Sequence, residues 1–578
     1  MSPPNPAIVA QNAVRRLPRA ALLLLCAAYL MPGLLGRGPW KSADVASFGY
    51  MAALAEGGGG LARWLDPLLL GLRPEIPALL PYWIGAWAIQ LSPSWLPPDL
   101  AVRIVFAVML WCTFTATWYA VYYLARTPRA QPVAFAFGGE ARPTDYARAV
   151  ADGGLLALIA SLGLAQLGHE TTPALAQLFF ASLLFYGAAA LPYRRAAPLT
   201  AFGIGALGLS LSGAPSMGLI LSGGCAVLAC REWLLGQREP DGDASPVYDR
   251  TGVLGLAALA LIGAAVAAAL GQFHWNLSLP GSDPNERLIA EARGLLKLFL
   301  WFTWPAWPLA IWTLWRWRRQ LTARHVALPL GFMLAASFST IFTDFGERSL
   351  LIGLPAFATL AAFALPTFQR SVSALIDWFT LLFFSGVALF IWVYWISLHT
   401  GVPAKPAANV YRLAPGFVPD FSWIGFGLAL AATIAWAWLV RWRTGRHRAA
   451  LWKTMALPAG GAALCWLLLM TLWLPLLDYA RSYEPQVRAL SQRMGAQPGC
   501  VDELGLNRAQ IAALRHHGRM ALQPLADGSQ CTWLLVHPDY LFSLPNRVRM
   551  ADWHFEGTFR RPTSPSDDLL LFRRQAPQ

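Results

Sequence analysis

Residues 375–395 read LIDWFTLLFFSGVALFIWVYW, with Asp377 the one charged side chain in the run. An α-helix needs about 20 mostly apolar residues to cross the hydrocarbon core of a bilayer, and this stretch has that length. Residues 20–35 (AALLLLCAAYLMPGLL) and 252–270 (GVLGLAALALIGAAVAAAL) repeat the pattern. The whole chain is 56% hydrophobic and 13% charged, where a soluble protein carries about a quarter charged residues. The fold class that follows is a polytopic α-helical membrane protein. Its 27 tryptophans suit the aromatic belts that lie at headgroup level.

The formal charge of +14 invites a nucleic-acid reading. The arginines, however, sit between the apolar runs, at 15–19, 126–148, 194–195, 231–250, 316–324, 370 and 441–453. That is where the positive-inside rule needs them, which argues against nucleic acid as a partner. Hydropathy marks roughly fourteen candidate spans. Placing every arginine cluster in the cytoplasm requires one early segment not to cross. The weakest is ALLPYWIGAWAIQL (78–91), read here as an interfacial or re-entrant helix. About thirteen spans remain, with the N-terminus cytoplasmic and the C-terminus outside, in the periplasm of a bacterial inner membrane.

The expected division is a membrane domain over 1–476, with a long outer loop at 37–99, and a small periplasmic α/β domain over 477–578. Asn507 would cap a helix in that domain and Gly518 would stop it. CTWLLVHP (531–538) and DDLLLFRR (567–574) read as strands. Cys26, Cys112, Cys225, Cys230 and Cys465 lie in apolar runs and read as packing residues. Cys500 and Cys531 stand alone in the polar C-terminal region, which points to a disulfide and an oxidising compartment.

Polar residues outside the arginine clusters gather on the outer side. Asp44 has two readings: a helix cap, or a general base toward a hydroxyl. Glu75 lies between Pro74 and Pro77, a rigid setting for a carboxylate. His169-Glu170 begins like a metalloprotease motif, but the run is HETTP and the second histidine is missing. Arg348, beside Glu347, could clamp a phosphate with its planar fork or serve as an interfacial anchor. Lys405 and Arg412 carry the same pair of readings. The glycines at 57–60 lack the Lys-Ser/Thr of a phosphate loop.

The order of these features resembles the GT-C superfamily of membrane glycosyltransferases, in the branch of the aminoarabinose (lipid A) transferases and protein mannosyltransferases. In that branch the first outer loop carries Asp-Glu-x-Arg-Tyr and then Lys-Pro-Pro-Leu-x-Tyr-Trp. Here DVASFGY (44–50) and PALLPYW (77–83) stand in those places. LWFTWPAWPLA (300–310) and ERSLLIGLPAFATLAA (347–362) resemble later segments. Val45, Ser47 and Phe48 depart from the family's acid, arginine and tyrosine.

The resemblance implies an inverting transfer of a sugar from a polyprenyl-phosphate carrier to a lipid or glycan acceptor, of the lipid A or lipopolysaccharide kind. Asp44 and Glu75 would be catalytic. Tyr82, Trp83, His169, Glu170, Glu347, Arg348, Lys405 and Arg412 would bind substrate. A divalent metal has Glu75 and Glu170 as candidate ligands, though nothing in the sequence demands one. The alternatives are a flippase or transporter of polyprenyl-linked lipids, which would place charges at mid-membrane depth, and a protein O-glycosyltransferase.

Overall fold

The computed structural model describes residues 5–40, 42–57, 60–236, 248–273, 286–342, 346–444, 450–495, 499–561 and 563–575. Residues 274–285, and residues 343–345 just before Glu347, lie outside that set. The described chain is mostly helical, with a five-stranded sheet near the C-terminus.

Among the described residues, eight helices are long and apolar enough to cross a membrane, and a bent pair raises that to nine. The expectation was about thirteen. Every expected segment is helical, but hydropathy counts apolar runs without seeing how long each helix lasts. Arg19–Leu30, Ala196–Leu211 and Leu354–Thr367 are shorter apolar helices. Pro143–Ala160 carries Asp145, Arg148 and Asp152. The pair Ala292–Phe302 and Ala306–Arg316 bends by 87° at Pro305, which has no N–H to continue the helical ladder. Leu80–Leu91, expected to stay at the interface, is a helix too short to span.

Hydrogen bonds and ion pairs sort the ends of the bundle into two groups. At one end Trp452 Nε1 donates to the Arg15 carbonyl, Arg16 pairs with Asp145, Arg195 with Asp249, and Arg324 with Glu232. At the other, Leu79 N donates to Leu211 O, Gln177 Nε2 to Ser212 O, Arg37 Nη2 to His169 O, and Tyr479 Oη to Pro415 O. The first group contains the arginine clusters. The second gathers the outer loop, the 168–172 turn and the C-terminal domain.

The C-terminal sheet has the order β2-β1-β3-β5-β4. β1 (Cys500–Leu504) runs parallel to β2 (Ala521–Pro524) and β3 (Trp533–Val536). β5 (Leu569–Arg574) is antiparallel to β3 and to β4 (Trp553–Phe559). A Cys500–Cys531 disulfide joins the start of β1 to the approach to β3. The helix Arg508–Gly518 starts in a capping box: Asn507 accepts from Gln510 N, and the Gln510 side chain accepts from Asn507 N. The helix Leu474–Arg481 straddles the boundary expected at 476.

This domain sits on the outer loop. Its helix Arg508–Gly518 lies against Ala43–Ala55, with the His516 ring 4.7 Å from Phe48. Asp478 Oδ1 accepts from Gly38 N at 3.0 Å and Trp40 Nε1 at 2.9 Å. Arg515 pairs with Glu56 at 3.2 Å. Burial holds both His516 and His517 below the usual imidazole range, so the contact is made with neutral rings.

The closest approach is at Gly49, where an added Cβ would lie 2.4 Å from the Ala512 Cβ. Gly49→Ala must therefore push the two helices apart, at about 1–3 kcal/mol. We expect the C-terminal domain of that variant to be cut faster in limited proteolysis. Ala512→Gly in the same chain should restore resistance. Wild-type resistance in the single variant would mean the helices do not meet as described.

Candidate functional site

The helix Ala43–Ala55 begins after Trp40 and carries Asp44 in its first turn. Asp44 is not the N-cap. Ser42 holds that position, and the Asp44 carboxylate turns back toward the loop before the helix. Asp44 Oδ2 accepts from Arg37 Nη1 at 3.1 Å and Trp40 N at 3.0 Å. Oδ1 accepts from Thr171 N at 2.7 Å and Thr171 Oγ1 at 2.6 Å. Arg37 spends its other donors on Gly33 O (2.8 Å) and His169 O (2.5 Å), and lies 4.8 Å over the Trp40 ring. The two side chains are 3% and 1% exposed. The pair thus bolts the outer loop to the turn before Pro173–Ala190.

Above it is a cavity of about 150 Å³. Glu75, Tyr82 and Arg348 line it, as do Tyr50, Thr172 and Arg508 of the C-terminal domain. Tyr82 Oη donates to Ile76 O at 3.3 Å and Tyr50 Oη to Leu72 O at 3.1 Å, which fixes the chain on either side of Glu75. Arg508 Nε donates to Arg73 O at 2.6 Å and so holds the same segment from the other domain. Arg348 is half-buried, and its Nε has no hydrogen-bond acceptor among the described residues.

Glu170 lies behind this wall, 4% exposed. Gln166 Nε2 donates to its Oε1 at 2.9 Å, while Oε2 has no partner among the described residues. Burial, and then the nearby Asp44 carboxylate, push its pKa up to about 7, against the pull of Arg348 and Arg37. His169 is packed 4.5 Å from the Trp466 ring, with its nitrogens against the Ala165 and Tyr29 carbonyls. Burial drives its pKa down to about 4, against the pull of the Ala165 and Tyr29 carbonyls.

The remaining expected residues are elsewhere. Trp83 points away from the cavity, and its Nε1 donates to Trp64 O at 2.7 Å. Glu347 is exposed. Lys405 and Arg412 are exposed on the short helix Ala404–Leu413, which buries Ala407 and Val410 against Leu398. None of these lines the cavity. Arg37, Thr171, Tyr50 and Arg508 were not singled out from the sequence. For Arg37 a signal existed, an arginine just after the first apolar run and outside the cytoplasmic clusters.

Among the described residues no group of three or more His, Cys, Asp or Glu could hold a metal ion. Asp44 has committed both oxygens to protein donors, and Glu170 has committed one. Glu75 and Glu170, the candidate ligands, have no third His, Cys, Asp or Glu grouped with them among the described residues, so the donor set does not fit a metal centre.

No protein-family model and no curated protein matches the chain. Among solved structures, ArnT from Cupriavidus metallidurans bound to undecaprenyl phosphate has a TM-score of 0.59. It is 14% identical, with 97% of this chain and 98% of that chain covered. The same protein in the apo state has a TM-score of 0.56 over the same shares, again at 14% identity. The chain therefore has an ArnT-like polytopic membrane fold along nearly its whole length.

Two predictions follow from the buried acids. Asp44→Asn would remove the charge that balances Arg37 and set an amide N–H where two backbone N–H groups and a guanidinium already donate. Its unfolding free energy in detergent should drop by about 3–5 kcal/mol, whereas an ordinary capping role would leave it near wild type.

Glu170 has its folded pKa above the ordinary glutamate value of 4.5. The folded chain then holds a proton that the unfolded chain has released. Stability should decline as pH rises from 4.5 to 7. Glu170→Gln removes that slope, so its thermal midpoint should gain on the wild type between those values; parallel curves would place the carboxyl in water.

Proposed function

We propose that this protein transfers a sugar from a polyprenyl-phosphate-linked donor to an acceptor at the outer membrane face, as a glycosyltransferase of the GT-C type. The observation that carries this reading is the meeting of Arg348, Arg508 and Glu75 in one cavity at the arginine-cluster-free end of the bundle. The ArnT fold supports it, since that protein has been seen with undecaprenyl phosphate bound.

The chemistry follows from the charges. Breaking the bond between the anomeric carbon and the carrier phosphate leaves negative charge on that phosphate. Arg348 has donors to spare, and Arg508 faces it from the other domain; both stabilise the leaving group as charge develops. An acceptor hydroxyl attacks the anomeric carbon from the opposite side, which inverts it, and its proton goes to Glu75. Where the acceptor is itself a phosphate, as on a lipid A-like molecule, no proton need leave and Glu75 orients it. Asp44, with every oxygen engaged, acts here as the frame that positions Thr171 and Thr172. The site faces the periplasm of an inner membrane, and the arginine clusters face the cytoplasm.

The test uses the purified protein with undecaprenyl phosphate. Arg348→Ala should weaken binding, and Arg348→Lys should restore it only in part, since an ammonium lacks the planar fork. Glu75→Gln should extract normally yet lower turnover by about 10²-fold or more, measured by the sugar-modified lipid or glycan that a deletion strain lacks. Full activity in both Arg348→Ala and Glu75→Gln would remove this cavity as the reaction centre.

A further inference from the structure

A second cavity, of about 290 Å³, opens at the arginine-rich end between the helices Arg19–Leu30, Pro98–Ala125 and Pro143–Ala160. Arg16, Arg19 and Arg148 stand among its lining residues, and Trp111, Phe114 and Leu23 are on its apolar wall. None of them belongs to the outer cavity.

The charge pattern is uneven in a useful way. Asp145 holds Arg16 at 3.4 Å and Arg148 at 4.0 Å from outside the groove. Among the described residues the only acid lining the groove is Asp152, 7% exposed; its Oδ1 accepts from Trp118 Nε1 at 2.8 Å, and its carboxylate offsets part of the charge of Arg19 and Arg148. Arg19 is exposed, and its guanidinium makes no side-chain hydrogen bond or salt bridge to another described residue. Trp111, Leu23 and Tyr119 are also exposed, on a bundle whose outer surface faces lipid. A guanidinium with open donors, two more beside it, and apolar walls leading away make the two halves of a lipid site. The head requires an anion and the walls require acyl chain.

We propose that this groove binds an anionic phospholipid, its phosphate at Arg19 and Arg148 and an acyl chain along Trp111 and Phe114. Basic pockets between membrane helices are suited to such headgroups, and aromatic side chains to the interfacial depth at which they lie. A zwitterionic lipid fits the walls equally well but brings its own cation to the arginines, so selectivity for net negative charge is the signature.

The experiment is native mass spectrometry of the full chain, titrated with phosphatidylglycerol or phosphatidylcholine. The wild type should retain phosphatidylglycerol at activation energies that strip phosphatidylcholine. The double variant Arg19→Ala/Arg148→Ala should bind phosphatidylglycerol about tenfold more weakly. Arg316→Ala/Arg318→Ala removes equal charge from exposed positions beside Trp315 and should change nothing. Thr115→Trp fills the groove with all three arginines in place, and it too should lose the lipid. Equal retention of both lipids, equal loss in the Arg316/Arg318 variant, or full binding in Thr115→Trp would each overturn the proposal.

Discussion

The end of the bundle that carries the C-terminal domain depends on one buried ion pair. Arg37 and Asp44 are seven residues apart in sequence, yet between them they tie together the turn after Arg19–Leu30, the start of Ala43–Ala55 and the 169–171 turn. Removing two charges from water costs several kcal/mol per ion, and their mutual attraction offsets it only when the remaining lone pairs and protons are also bonded. Here both carboxylate oxygens accept twice, and Arg37 donates to two backbone carbonyls as well. Completeness, more than the charge itself, is what makes the arrangement stable. It also makes Asp44 a poor place to receive a proton, and that is why the proposed chemistry falls to Glu75.

Much of the architecture was legible because it is written locally. An apolar run announces a membrane helix whatever surrounds it, and Asn507 announces a helix start at its own position. The number of full-length spans was less legible, since helix length depends on where the chain turns. β1, β2 and β4 were also missed: CVDEL, ALQP and WHFEGTF are short or polar, and become strands only through their partners.

The site divides along the same line. Glu75, held by flanking prolines, and Arg348, at a helix mouth, could be picked out one at a time. Their companions could not. Asp44 meets Thr171 across 127 positions, and Arg508 meets Arg73 across 435. Tyr82 and Trp83 were chosen together, but consecutive helix residues diverge by about 100°, so only one could face the cavity. Lys405 and Arg412 were chosen for charge and outer location, properties that an amphipathic surface helix has for its own reasons.

Arg508 enters the cavity from the last hundred residues of the chain, and the sheet behind its helix is closed by β5 at Leu569–Arg574. The ribosome reaches those residues after every membrane helix is made. Until then the nascent bundle has Arg348 and Glu75 but lacks the opposite wall. The cavity is therefore finished last, and a chain stalled before Arg508 lacks one of its walls.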